Sequence, residues 1–290
     1  MTKRGNMTRQ ESPSSINTYN LCKRKYYYSY KLNLPRKDNI STITGKAVHD
    51  ALENFFKIDT SSINKSNYEF ILKHELINLF NNSWTKALPS LLNLENDKNT
   101  IRNYYQNSIY MLQNFIEDFL IALSSFINDG TFQDAFNKLK PQTEVHLYSE
   151  KHNVHGYLDA ILNINGEVYI IDYKTSSKDN ITEDYKLQLA IYSLMFNEKF
   201  GKLPNKVGLH FLRHGTKKYI DVSQDLIDTA GRECELIKFN TESNDIKDYD
   251  KNPGSWCKWK DGQCSFYGIC YGVKKLEDYN EENLIQIKRN

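Results

Sequence analysis

The stretch HGYLDAILNINGEVYIIDYK, from His155 to Lys174, decides how this chain folds. Its second half, Glu167-Val-Tyr-Ile-Ile-Asp172-Tyr173-Lys174, is an apolar run of the length and composition of a central strand buried on both faces. Yet it ends in Asp172 and Lys174, and interiors admit such residues almost only as pairs. Side chains alternate along a strand, so these two project from one face. One strand earlier, Asp159 stands in a second strand-like context, and the intervening Asn165-Gly166 is a pair suited to a two-residue hairpin turn. That hairpin can bring Asp159 and Asp172 together. Two close carboxylates repel unless a cation lies between them, and an all-oxygen donor set suits Mg2+ or Mn2+. A lysine beside such a cation and a phosphate oxygen can offset developing charge, which makes this a phosphodiester-hydrolysis constellation. A structural reading competes, with Asp159 closing a turn and Asp172 paired with Lys174 at a strand end.

Working outward, Glu144 to Tyr148, Val154 to Ile164, Glu167 to Lys174, Val207 to His214 and Lys218 to Val222 read as strands. Glu183 to Phe200, apolar at Leu187, Ile191, Leu194 and Met195, reads as a crossover helix. The order ββ(β)αβ predicts an α/β fold, a mixed central sheet flanked by helices. Upstream, Val48, Leu52 and Phe55 recur at helical spacing within Gly45 to Phe56. Asn67 to Ile127 is largely helical, with a stripe through Tyr105, Ile109, Leu112, Phe115, Phe119, Leu123 and Phe126. Pro89 and the Asn-rich stretch from Asn93 to Asn99 predict at least two helices there, so residues 60–140 form a helical insertion. Residues 1–13 read as a disordered leader ending at Pro13, after which Ser14 or Ser15 caps a helix through Tyr19 and Cys22. A last helix from Leu226 to Phe239 places Ala230, Cys234 and Ile237 on one side, with Cys234 in the core. Residues 14–275 are then one domain and 276–290 a tail.

The totals bound the function. At 290 residues and 34.0 kDa, with 39% hydrophobic and 26% charged residues, the chain can bury a substantial core. Lys plus Arg number 38 against 36 Asp plus Glu, a balance that argues against coating nucleic acid along the whole surface but leaves room for a local basic groove. Gly45-Lys46 lacks the earlier glycine of a phosphate loop, so no nucleotide-driven motor is encoded. The residues from Met1 to Ile16 carry no apolar export segment and no later run would span a bilayer, which predicts a cytoplasmic protein without a membrane partner. Of five cysteines, Cys257, Cys264 and Cys270 crowd together, which points to metal rather than disulfides.

In order and separation, Gly156 to Asp159, Asp172-Tyr173-Lys174 and Gln188 to Tyr192 resemble the G-x-x-D, D-x-K and Q-x-x-x-Y signature of the RecB-like branch of the PD-(D/E)XK nuclease superfamily. Gly45-Lys-Ala-Val-His49 is similar to the branch's early G-x-x-x-H. The resemblance implies a restriction-endonuclease-like fold in which Asp159, Asp172, Lys174, Gln188 and Tyr192 are catalytic. It also implies that His49, Asp159, Asp172 and the Tyr173 carbonyl hold the metal. The opening helix with Cys22, followed by Lys23 where the family often has proline, resembles the branch containing CRISPR-associated and AddB-type exonucleases. There, four cysteines hold a [4Fe-4S] cluster, which implies Cys22, Cys257, Cys264 and Cys270 as ligands clamping the N- and C-terminal regions. The interval from Cys257 to Cys264 is longer than the branch's usual two intervening residues, and a zinc site on the same four cysteines is the alternative.

The implied activity is a Mg2+- or Mn2+-dependent DNA exonuclease acting on single strands or ends, in repair, recombination or CRISPR-type processing, with a helicase or other DNA-processing partner. Lys23, Arg24, Tyr27 and Lys186 are expected to touch DNA, by charge or by stacking; of the N-terminal tyrosines only one or two would do so, the others facing the core, and Lys186 or Arg213 would help with phosphates. Two alternatives stand beside this, a catalytically silent DNA-end-binding iron-sulfur module and a sequence-specific endonuclease on the same fold.

Overall fold

The computed structural model describes residues 9–128, 130–259 and 262–277. Helices α1 (Pro13–Leu21) and α2 (Lys23–Tyr26) and a π-helical turn (Tyr27–Lys31) precede α3 (Ile40–Phe55), α4 (Tyr68–Leu94), α5 (Lys98–Ile127) and α6 (Phe132–Leu139). Then come β1 (Gln142–Ser149), β2 (Val154–Ile164), β3 (Glu167–Lys174), α7 (Glu183–Phe200), β4 (Lys206–Phe211) and β5 (Thr216–Asp221). Next are α8 (Gln224–Asn240), a 3-10 turn (Ile246–Asp248), the short strands β6 (Lys258–Trp259) and β7 (Gly262–Gln263), and α9 (Tyr267–Cys270). The chain divides into two compact units. Of the described residues, one gathers those up to Lys37, Glu150–His155 and those from Gly231 onward; the other holds those of Asp38–Ser149 and Gly156–Ala230.

The second unit is built on a five-stranded sheet of order β1-β2-β3-β4-β5. β2 and β3 pair antiparallel through Asn165-Gly166, whose φ angles of 55° and 91° are the left-handed values a tight two-residue turn requires. β3 and β4 pair parallel because α7 intervenes as the crossover, and β5 returns antiparallel to β4. The mixed sheet and its crossover are therefore as the apolar pattern predicts. α3 begins at Asn39, whose side chain accepts the Thr42 N–H, and buries Val48, Leu52 and Phe55. These pack in one core with Phe80 of α4, Leu112 and Phe115 of α5, and Tyr173 of β3. Phe115 meets the Tyr173 ring edge-on at 5.8 Å between centroids, so α5 covers the face of the sheet to which Tyr173 points. Two long helices do fill the insertion, but Pro89 lies inside α4, and the break between them falls at residues 95–97.

Gly208 of β4 faces Tyr219 of β5 at close range. A Cβ there would stand 2.5 Å from Tyr219 Cδ1 and 2.6 Å from the Lys218 carbonyl oxygen, and the backbone atom cannot swing aside. Gly208→Ala should therefore destabilise the protein by about 1–3 kcal/mol, read as a lower urea midpoint at unchanged slope.

In the first unit the helix start differs from the sequence expectation. Ser12 is the N-cap, with Pro13 at the first helical position and Ser15 completing a capping box. Part of the expected leader is also bound. Glu11 is buried, accepts from the Tyr26 hydroxyl and Ser15, and forms a parallel bridge with Val154. Residues 1–8 of the leader and 278–290 of the tail lie outside the described residues. Tyr26 stacks on Tyr249 at 6.2 Å and Tyr27 leans on it at 5.0 Å, giving this unit an aromatic core. Cys234 is buried, as its helix face predicts. Among the described residues no helix is long and apolar enough to cross a membrane.

Candidate active site

The β2–β3 ladder runs from Ile164↔Glu167 to Ala160↔Ile171. One residue further, the Asp159 carboxylate accepts the Tyr173 N–H at 2.7 Å, so a side chain bonds β3 beyond the last backbone rung. His49, on α3, places Nδ1 3.5 Å from the same carboxylate oxygen. Glu144 of β1 completes a group in which one donor atom from each of His49, Glu144 and Asp159 lies within 4.8 Å of the others. Glu144 takes a φ of 50°, left-handed backbone inside a strand, a costly conformation of the kind that clusters at functional sites. Burial, then Asp159, then Glu53 push its carboxyl pKa up. The sequence reading treats Glu144 as an ordinary strand residue; the signal was a third carboxylate in strand context.

Asp172 is 4% exposed. Lys174, two residues on and on the same face, puts its ammonium 2.6 Å from Asp172 Oδ2. Gln188 on α7 joins the two. Its Nε2 donates to Asp172 Oδ1 at 2.9 Å and to the Tyr192 hydroxyl at 2.8 Å, while its Oε1 accepts from Lys174 Nζ at 2.9 Å. The opposite amide orientation would set an NH2 against the ammonium and an oxygen against the carboxylate, so the charges fix it. Gln188 and Tyr192 are one helical turn apart, which is why both reach the strand. The Lys174 ammonium also lies 4.6 Å from the centre of the Tyr185 ring.

Electrostatics follow from this packing. Burial raises the Asp172 pKa, opposed by Lys174 and reinforced by Asp159. For Lys174, burial works downward, but the Asp172 charge prevails and holds the ammonium protonated. Burial likewise lowers His49, and the hydrogen bond and charge of Asp159, with Asp172 behind it, reverse the direction. The result is three carboxylates in close quarters, only one of them partnered by an ammonium. An imidazole and carboxylates at this spacing fit a hard divalent cation of the Mg2+ or Mn2+ kind. Asp172, Lys174 and His49 line a cleft of about 710 Å3, walled by residues of α3 and α5 and by the loop after β3.

The sequence-predicted residues thus come together as His49 with Asp159 and as Asp172, Lys174, Gln188 and Tyr192 in one network. The expected DNA contacts divide. Lys23 and Lys186 are exposed. Arg24 and Tyr27 also take part in packing, the half-exposed Arg24 donating through Nε to the Tyr249 carbonyl at 2.7 Å and the buried Tyr27 donating its hydroxyl proton to Asn244 O. The segment that packs on these two residues lies some two hundred residues downstream.

All four expected cluster cysteines belong to the first unit. Cys22 is buried and the others half-buried. Burial raises the Cys264 thiol pKa, with Cys22 and Cys257 adding to it; burial also raises Cys270, with Cys22 and Cys264 adding. The four sulfurs therefore feel one another. The long interval from Cys257 to Cys264 is taken up by the β6–β7 pair, and Cys264 N–H donates to Cys257 O at 2.9 Å, setting the two cysteines side by side.

Residues 10–271 match the model of the PD-(D/E)XK nuclease superfamily. The CRISPR-associated exonuclease Cas4 of Francisella tularensis subsp. novicida (strain U112) is 32% identical over 124 residues, which cover 42% of this chain and 58% of that protein. The chain thus spans little more than half of that relative's length. A candidate exonuclease from Eubacterium rectale aligns with a TM-score of 0.48 at 11% identity, over 95% of this chain and 94% of that one. With its five-stranded mixed sheet flanked by helices in restriction-endonuclease-like fashion, the chain belongs to the PD-(D/E)XK nuclease superfamily.

Proposed function

We propose that this protein is a Mg2+- or Mn2+-dependent DNA exonuclease that acts on single strands or strand ends in repair, recombination or CRISPR-type DNA processing, in the cytoplasm of a prokaryotic or virus-infected cell. The observation that carries this reading is the network of Asp172, Lys174, Gln188 and Tyr192 beside the donor group of His49, Glu144 and Asp159. The Cas4 relative, a CRISPR-associated exonuclease, supports it. His49, Asp159, Asp172 and the Tyr173 carbonyl, with Glu144, would hold the metal. When bound, it supplies Lewis-acid polarisation of a phosphate and a nucleophile at neutral pH. The chain's own groups do the rest. Lys174, kept charged by Asp172, stands where a substrate phosphate would enter and offsets the charge that builds on its oxygens. Gln188 holds the carboxylate and the ammonium in register, and Tyr192 fixes Gln188.

A [4Fe-4S] cluster on Cys22, Cys257, Cys264 and Cys270 is part of the same reading. A zinc ion on the same four thiolates is the alternative. A helicase or other DNA-processing partner would supply strand ends.

The test is digestion of 5′- and 3′-labelled single strands, with and without a blocked end, in Mn2+ or Mg2+. Processive loss from a free end, abolished by chelator, is expected. Discrete fragments from a circular duplex would point to a sequence-specific endonuclease. Tight end binding without cleavage under any divalent cation would overturn the enzyme in favour of a silent binding module.

A further inference from the structure

Arg213 belongs to no part of the network described above. It sits in the turn between β4 and β5, and it lines the same cleft as Asp172 and Lys174. Its Nε is buried without a hydrogen-bond partner, and among the described residues its guanidinium has no ion pair. The backbone that carries it is held in place from three directions. Leu212 N–H donates to Lys174 O at 2.9 Å, extending the parallel pairing past the end of β3. Asn114 of α5 donates through Nδ2 to Leu212 O at 2.9 Å and to Arg213 O at 3.3 Å. His214 Nε2 lies 3.0 Å from Ser177 O. A turn fixed this firmly, bearing a half-exposed arginine whose buried Nε has no partner, is suited to a ligand that comes from outside.

The chemistry of the cleft says which ligand. Lys174 and Arg213 are its only Lys or Arg residues among those described, and the Lys174 charge is already matched by Asp172. One free positive charge remains. The wall from α5 is uncharged: Thr100, Asn103 and Asn107 recur one helical turn apart and face the cleft, and the amides of Asn103 and Asn107 are exposed. A duplex would bring two lines of phosphate into a space with one unpaired Lys or Arg beside the proposed metal site, whereas a single strand needs one anchored phosphate and neutral groups along its sugars and bases. The position also distinguishes phosphates. Phe211 is the register partner of Lys174, and Arg213 lies one strand over and two residues beyond it. That offset would set Arg213 against the phosphate next to the one that Lys174 faces.

We infer that Arg213 is the phosphate clamp of a single-strand channel, gripping the phosphate adjacent to the scissile one and so setting strand register. This rests on the proposed nuclease reading, and the experiment separates the two. Steady-state kinetics on a labelled single strand in Mn2+ would compare the parent protein with Asp172→Asn, Arg213→Ala and Arg213→Lys, each checked for an unchanged unfolding midpoint. Arg213→Ala should raise KM roughly ten- to a hundredfold with kcat within about threefold, because the contact is the same in ground and transition states. It should also reduce the slope of log KM against log salt by about one. Arg213→Lys should fall between, since a point charge replaces a two-pronged donor. Substrates carrying one neutral methylphosphonate, moved along the strand, test the same contact without altering the protein. One position beside the cleavage site should cost the parent in KM and cost Arg213→Ala nothing. Parental KM and salt slope in Arg213→Ala, with Asp172→Asn inactive, would overturn the clamp and leave the nuclease reading standing. A loss confined to kcat would overturn it in favour of contact with the scissile phosphate itself. Full activity in Asp172→Asn would remove the nuclease site, and the clamp with it.

Discussion

Replacing Asp172 with asparagine is expected to cut strand hydrolysis by about 10³-fold. The substitution preserves shape and leaves Gln188 Nε2 an amide oxygen to bond at the position it now donates to at 2.9 Å. What it removes is a negative charge in direct contact with Lys174 and within the electrostatic reach of Asp159 and His49. Lys174→Ala should be equally inactive for the complementary reason. Burial already raises the Asp172 pKa, and losing the ammonium that opposes it pushes that pKa further up. Because each residue acts only while the other is charged, the double variant should be no slower than the worse single one, a non-additivity that independent contributions would not produce. Initial rates on labelled single strands in Mn2+ measure all three, with circular dichroism confirming the fold. Additive losses, or an Asp172→Asn protein within tenfold of the parent, would show that the pair is structural.

The second large effect belongs to the other unit. Cys22→Ser should bring iron and acid-labile sulfide to background, bleach the brown colour, and lower that unit's stability by several kcal/mol, since metal-binding energy at such sites is folding energy on the order of several kcal/mol or more. Cys22 is a buried residue between α1 and α2, its N–H donating to Thr18 O and its carbonyl accepting the Tyr26 N–H, so the backbone tolerates the exchange of sulfur for oxygen. Cys234→Ser provides the comparison: Cys234 is buried on α8 and should leave the iron content unchanged. A colourless parent protein with one zinc per chain would replace the cluster by the zinc alternative on the same four cysteines.

The parts of the site legible in sequence are those whose geometry is local. Asp172 and Lys174 share a face because they are two apart on a strand, and Gln188 and Tyr192 share one because they are four apart on a helix. The β2–β3 hairpin was readable from Asn165-Gly166, and β2, β3 and α7 begin and end where the apolar pattern placed them. What stayed hidden depends on contacts far along the chain. Glu144 enters the donor group through a left-handed φ that nothing in its neighbours announces. The packing of Arg24 and Tyr27 on the segment around Tyr249 was equally out of reach of local pattern. Ser12, rather than Ser14 or Ser15, became the cap because Pro13 fits the first helical position, where its missing N–H costs nothing. The spacing from Cys257 to Cys264 looked too long in one dimension, and a two-stranded hairpin shortens it in three.

The parallel pairing of β3 with β4 also sets when the protein can begin to act. A parallel pair cannot close locally; it waits for the whole of α7 and for Phe211, the partner of Lys174, to leave the ribosome. His49 emerges first and the end of β4 last, an interval of roughly ten to thirty seconds at ordinary translation speeds. In the last part of that interval, once Lys174 has emerged, the nascent polypeptide carries every acidic group of the site but no assembled centre, so the proposed activity would wait for the finished sheet.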